Sequence, residues 1–210
     1  MIMTMQDKVS KEQLILESAE QEFFIKGFDG ARTTSIAKRA GVTHAMLHYY
    51  YRTKEQLFER VIDKNVSFII ATMFSSLSKA DMPFLDRLKV SISSHFDIVA
   101  SNPLLPHFFL NEIISRPERY NMMQNKLETR AKEIFSKVQI EIDEQSQQGN
   151  IEWIDARMLF MSIVSLNIFP FIALPFAKRM MGDLLDNQDS FLEQRKAENI
   201  ETIMRRLKKQ

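Results

Sequence analysis

Between Thr33 and Thr43 the chain reads Thr-Thr-Ser-Ile-Ala-Lys-Arg-Ala-Gly-Val-Thr, and this run restricts the backbone more than any other. Two helices that press together at a corner need a small residue at the contact, which Ala37 supplies. Four residues later the turn needs positive φ, which Gly41 tolerates because it has no Cβ to clash. The run predicts a helix over 34–40 with Ile36, Ala37 and Ala40 inward, then a short helix capped by Thr43 and ending near Tyr50. Val42 and Leu47 are expected to tuck that second helix against a preceding one. The preceding helix should run from Ser10, a good N-cap, to Gly27, a good C′ residue, with Leu14, Ile15, Ala19 and Phe23 on its buried face. An ordinary corner between two helices would use the same Ala and Gly.

Downstream, Thr53 and Gln56 form a capping box that opens a fourth helix, which continues past Phe74 to about Lys79. Further helices are expected over 83–100 and 106–115, and from Pro117 to near Gly149. Asp155 should cap a long apolar helix reaching about Met181. A final amphipathic helix over 190–209 carries Phe191, Leu192, Ile200, Ile203, Met204 and Leu207. No stretch shows sustained two-residue alternation with hairpin turns. With 210 residues, 45% of them hydrophobic and 26% charged, the chain has enough apolar side chains for a proper core. The expected fold class is all-α: a three-helix N-terminal helix-turn-helix domain over 1–56, followed by a helical domain over 57–210.

A net charge of +1 argues against a general nucleic-acid coat, so any such contact must come from a local patch. Residues 26–54 supply one: Lys26, Arg32, Lys38, Arg39, Arg52 and Lys54, joined by His44 and His48, against the single acid Asp29. The absence of cysteine excludes a disulfide framework and a thiolate metal site, and fits a reducing, cytoplasmic setting. Met1–Ser10 carries Asp7 and lacks the apolar stretch of a secretion signal. Met158–Ala177 is twenty residues without a charge, long enough to span a bilayer. Its Ser162, Ser165, Asn167, Pro170 and Pro175 would be costly in a lone lipid-facing helix. A helix covered by protein on most sides, with no membrane partner, is the expectation.

The next run, Leu47-His48-Tyr49-Tyr50-Tyr51-Arg52-Thr53-Lys54-Glu55-Gln56-Leu57, is more specific. Taken with Ile36-Ala37-Lys38-Arg39-Ala40-Gly41-Val42-Thr43, it resembles the TetR family of bacterial helix-turn-helix transcriptional regulators. That family's signature runs from Ile-Ala-x-x-Ala-Gly-Val-Ser into Leu-Tyr-x-Tyr-Phe-x-Ser-Lys-Glu-x-Leu. The resemblance covers about fifty residues; beyond them only the layout is similar. It departs from the pattern at His48, where Tyr is usual, at Tyr51, where Phe is usual, and at Ala45, where Gly is common. Tyr51 should be harmless at a packing position if its hydroxyl reaches water.

The resemblance implies that Thr43, His44, Ala45, Met46 and His48 face the major groove of an operator in double-stranded DNA, while Thr33, Thr34, Tyr49, Tyr50 and Lys54 grip phosphates. Hydroxyls, a helix N-terminus and a lysine suit phosphate oxygens, and Ala45 and Met46 suit thymine methyls. It also implies a C-terminal domain that binds a small-molecule effector and forms a homodimer through the last two helices. The uncharged helix fits that interface, and Asp in place of Ile163 or Phe169 is expected to give monomers.

Candidates to line an effector pocket are Phe68, Phe96, Phe108, Phe109, Asn111, Met123, Leu127, Trp153, Phe160 and Asn167, although aromatics and methionines at helical spacing also build plain core. His95, His107, Glu112 and Arg130 are further polar groups that a pocket could use. His95, His107 and Glu112 match no metal-ligand spacing, and no phosphate loop or nucleophile–base motif is present. Neither catalysis, a cofactor nor a metal is expected. The function expected is a ligand-responsive repressor, released from a palindromic operator by a largely apolar effector. Rival expectations are a helix-turn-helix regulator whose C-terminal half binds a protein partner, or one that uses 158–177 as a membrane anchor.

Overall fold

A computed structural model describes residues 10–77, 81–177 and 179–209, excepting the side chains at 122, 123, 125–127, 129 and 175. The chain divides into two units, Met1–Phe68 and Ile69–Gln210. Both are helical, and among the described residues there is no strand.

The first unit opens with α1 (Lys11–Gly30), whose N-cap Ser10 accepts a hydrogen bond from the Gln13 N–H. Helical geometry breaks at Gly27, where φ is 66°, so the regular helix stops where the sequence places its C′ glycine. The buried stripe is Ile15, Ser18, Ala19, Glu22 and Phe23. Leu14, expected on it, is 37% exposed, because the stripe runs one residue to its C-terminal side. Then follow α2 (Thr33–Arg39) and α3 (His44–Tyr50). The turn between them is a Schellman arrangement: Val42 N–H donates to Ala37 O at 3.0 Å and Gly41 N–H to Lys38 O at 3.3 Å.

Gly41 has φ 66°, and a Cβ there would meet nothing within 4 Å. Strain is therefore the only cost of a side chain. Gly41→Ala should lower stability by about 1 kcal/mol, read as a lower urea midpoint with unchanged slope.

The three helices close on Ile15, Ala19, Phe23, Ile36, Ala37 and Leu47, with Leu57, Phe58 and Val61 of α4 (Lys54–Leu77). Phe58 meets the rings of Phe23 and Phe28 edge-on, at centroid distances of 5.0 and 4.9 Å. Thr53 Oγ1 accepts the Gln56 N–H at 3.2 Å, the expected cap of α4.

The second unit contains α5 (Phe84–Ser101), α6 (Leu105–Phe109), a π-helical turn (Leu110–Ile114), α7 (Pro117–Gln147), α8 (Ala156–Ala177), a 3₁₀ turn (Gly182–Leu185) and α9 (Gln188–Leu207). Asp155 caps α8, its carboxylate accepting the Arg157 N–H at 2.8 Å. The helix stops at Ala177, short of Met181. The last helix, α9, starts two residues before the expected 190; its cap is Asn187, whose side chain accepts the Ser190 N–H. The main core gathers Met73, Phe84, Leu88, Ile92, Ile142, Ile151, Leu159, Ile163, Ile203 and Leu207. Arg87 is buried beside it, donating to the carbonyls of Leu77 and Met82 and pairing with Glu141. That guanidinium joins the end of α4, the connection to α5, and α7.

One expectation needs correcting. Only 28% of Ala156–Leu174 is buried within the chain, so α8 is not covered by its own protein on most sides. By length and composition it could cross a membrane. Met158, Met161, Phe169 and Phe176 lie exposed along it at helical spacing.

Candidate nucleic-acid interface

The ten residues expected to meet DNA all lie in the first unit, on or beside α2 and α3. Thr43 caps α3, its Oγ1 accepting the Met46 N–H at 3.2 Å, which leaves its hydroxyl proton to donate outward. Leu47 is fully buried and pins the helix to the unit's core. Its opposite face presents His44, Ala45 and His48 to solvent, with Met46 half-buried. Tyr49 and Tyr50 follow, exposed, their rings edge-to-face at 5.5 Å. At the start of α2, Thr33 is half-buried and Thr34 exposed. Lys54 Nζ lies 4.6 Å from the centre of the Phe28 ring and 3.5 Å from Asp29 O, so its stem is positioned before any phosphate arrives.

The two histidines are tied in. His44 Nε2 is 3.0 Å from Thr33 Oγ1, linking the first residues of α2 and α3. His48 Nδ1 is 3.3 Å from Arg52 O, and the rings stand edge-to-face with centroids 4.4 Å apart.

The basic patch is smaller than its composition suggests. Glu22, four residues upstream of the 26–54 window, is fully buried; it pairs with Lys26 at 2.7 Å and faces Arg39 at 3.4 Å. Burial pushes its carboxyl up, but the Lys26 hydrogen bond and charge, the Arg32 backbone N–H and Arg39 outweigh it and hold it below the ordinary value. Two of the six basic residues therefore serve an internal carboxylate. The signal was available: Glu22 stands on the apolar stripe, three residues after Ala19 and four before Lys26. Tyr51 also departs from expectation. It is buried, and its hydroxyl donates to Glu12 at 3.2 Å, where water had been expected. Burial, then the Glu12 charge, raise its pKa to about 12.

The pocket candidates do not form one group. Phe68 belongs to the first unit and is exposed. In the second unit Phe96 packs on Phe171 at 5.4 Å, Phe108 meets Phe109 at 6.0 Å, and Phe160 meets Phe135 at 5.3 Å. Trp153 is exposed, its Nε1 donating to Asp143 at 2.8 Å, and Asn111 is exposed on the π-helical turn. Met123 and Leu127 have side chains outside the described residues. Asn167 is buried: its Nδ2 donates to Ile92 O and His95 Nδ1, and its Oδ1 accepts from Asn199. A groove of about 480 Å³ opens elsewhere, between Met161, Ser162, Ser165 and Leu166 of α8 and Thr202, Ile203 and Arg206 of α9. Glu112 is buried and paired with Arg119, and no three metal-ligating side chains converge among the described residues.

A capped short helix, raised from a three-helix core across a Schellman turn and bearing polar residues on its outer face, has the form of the second helix of a helix-turn-helix unit. Residues 15–61 match the model of the bacterial regulatory proteins of the tetR family, so that stretch is similar to the DNA-binding part of those proteins. It is 33% identical over 54 residues to the HTH-type transcriptional regulator YdgC of Bacillus subtilis, but spans only 28% of that relative's length. It is 21% identical over 155 residues to the transcriptional activator FasR of Mycolicibacterium smegmatis, 73% of this chain and 67% of FasR. Over nearly the whole chain the fold is that of the fatty acid degradation regulator FadR from Bacillus halodurans, at TM-score 0.64 and 18% identity, covering 93% of this chain and 97% of that one. These are transcription regulators, not enzymes.

Proposed function

We propose that this protein is a cytoplasmic transcription repressor that binds a palindromic operator as a homodimer and leaves it on binding a small, largely apolar effector. The reading helix carries the proposal. A major groove about 12 Å wide admits one α-helix, and α3 offers Thr43, His44, Ala45, Met46 and His48 to the bases. Thr33, Thr34, Tyr49, Tyr50 and Lys54 flank it as phosphate contacts. With His48 and Ala45 at departures from the family pattern, base preference belongs to this protein and not to its relatives.

One such head buries too little DNA to hold alone, so a second copy is required. The exposed apolar stripe of α8 and the groove it shares with α9 favour that pairing. FadR is named for fatty acid degradation, which supports an acyl-type effector here. The pocket is proposed in the second unit beside Asn167 and the small apolar cluster of Phe96 and Phe171. Asn167 already makes three hydrogen bonds, which leaves one Oδ1 lone pair for a ligand. Since α4 contributes residues to both units, its tilt would carry the signal, with a coupling of about 1–3 kcal/mol.

Selection from random duplexes, followed by fluorescence anisotropy with the full chain, tests the proposal. A palindrome with half-sites about one helical turn apart is expected, and His48→Ala should weaken binding by about tenfold or more. Failure to enrich any duplex would refute the reading. Palmitate or palmitoyl-CoA should reduce affinity at least about fivefold; no change under either would remove the effector and leave the DNA reading standing. A second reading, in which α8 anchors the chain to a membrane or a protein partner, draws on the same exposed stripe. Cell fractionation separates them, because the repressor dimer stays soluble.

A further inference from the structure

We infer that His44 and His48 form a binding site for a first-row divalent metal ion, Zn²⁺ or Ni²⁺, on the outer face of α3. Residues four apart lie one above the other on a helix, and both imidazoles are exposed, with ring centroids 4.4 Å apart. Two nitrogens that share an ion at about 2.0–2.1 Å each must approach within roughly 4 Å of one another. Rings this close meet that requirement with little movement.

The hydrogen bonds at the pair suit ligation as well. A ligating histidine is normally held at one nitrogen by a protein oxygen, which fixes the tautomer and exposes the other lone pair. His48 has this arrangement: a carbonyl only accepts, so the contact with Arg52 O places the proton on Nδ1 and leaves the Nε2 lone pair unprotonated. In His44 the Thr33 hydroxyl can accept the Nε2 proton, which leaves Nδ1 as the ligand atom. Two neutral imidazoles and no carboxylate select borderline ions such as Zn²⁺ and Ni²⁺ over Mg²⁺ or Ca²⁺. No third His, Asp or Glu joins a cluster among the described residues, so water fills the remaining positions. An ion held there covers the face that would enter the groove. On the DNA-binding reading above, metal and operator therefore exclude one another.

Calorimetric titration of the full-length protein, free of any affinity tag and stripped with chelator, tests the site without DNA. ZnCl₂ or NiCl₂ should bind at one ion per chain. His44→Gln and His48→Gln should each weaken binding by about tenfold or more, whereas His107→Gln leaves it unchanged. In histidine-labelled protein, Zn²⁺ should shift the ring signals of two of the four histidines. Wild-type affinity in either single variant, or shifts at His95 or His107 instead, would overturn the site. Operator binding undiminished at saturating Zn²⁺ would overturn the exclusion. A chain that binds metal as described but no DNA at all contradicts the repressor reading alone.

Discussion

In the proposed homodimer, Phe169→Asp should shift the protein to monomer in sedimentation velocity while leaving its helical circular dichroism intact. Phe169 is 65% exposed on α8, in the stripe that Met158, Met161 and Phe176 share, so the chain's own core does not depend on it. In a two-fold interface the substitution enters twice, and each carboxylate would be taken out of water without a partner. A loss of several kcal/mol weakens association by at least about a thousandfold. Operator affinity should fall with it, since a single head makes only half the contacts. Ile163 does not offer the same test. It is 4% exposed and packs in the core with Leu159, Ile203 and Leu207, so Asp there would break the fold instead of the interface. The sequence expectation that treated the two positions alike is corrected on that point. A Phe169→Asp protein that still sediments as a dimer would move the interface elsewhere.

What the sequence made legible was local. Ala37, Gly41 and Thr43 act through steric fit, positive φ and a hydroxyl cap, each decided by neighbours in the chain, and all three stand as expected. Helical spacing located the buried stripe of α1 but left its centre uncertain by one residue, and Leu14 was misplaced for that reason. Helix starts without an apolar residue are hard to place from spacing. The last helix was expected from 190 but begins at Gln188, capped by Asn187, ahead of its first apolar residue Phe191. Glu22 escaped notice because a charge on an apolar stripe reads as an interruption until Lys26 and Arg39 are placed around it. The pocket candidates were the least legible, since an aromatic facing a cavity and one filling a core have the same spacing. Phe160 illustrates this: it packs against the main core and the Phe135 ring.

The protein should lose about 3 kcal/mol of stability between pH 7 and pH 4 through one residue, His95. It is 2% exposed on α5, and burial lowers its pKa from 6.5 to about 4. Over that interval the unfolded chain takes up a proton that the folded chain refuses, so acid favours unfolding. The stability held above pH 6.5 is therefore lost progressively as pH falls towards 4. The geometry explains the refusal. His95 Nδ1 accepts from Asn167 Nδ2 at 3.1 Å, and a proton on Nδ1 would set two donors face to face. Asn167 also holds Ile92 O, and its Oδ1 takes a hydrogen bond from Asn199, so the disturbance reaches α5, α8 and α9 together. His95→Asn keeps an acceptor near Nδ1 and removes the titration. Urea unfolding of both proteins at pH 7, 5.5 and 4 isolates the effect, because every other carboxylate and histidine titrates in both. The difference in their unfolding free energies should move by about 3 kcal/mol in favour of the variant as pH falls. A difference that stays constant with pH would mean that His95 protonates in the folded core as readily as in the unfolded chain, and that the Asn167 bond does not hold it neutral.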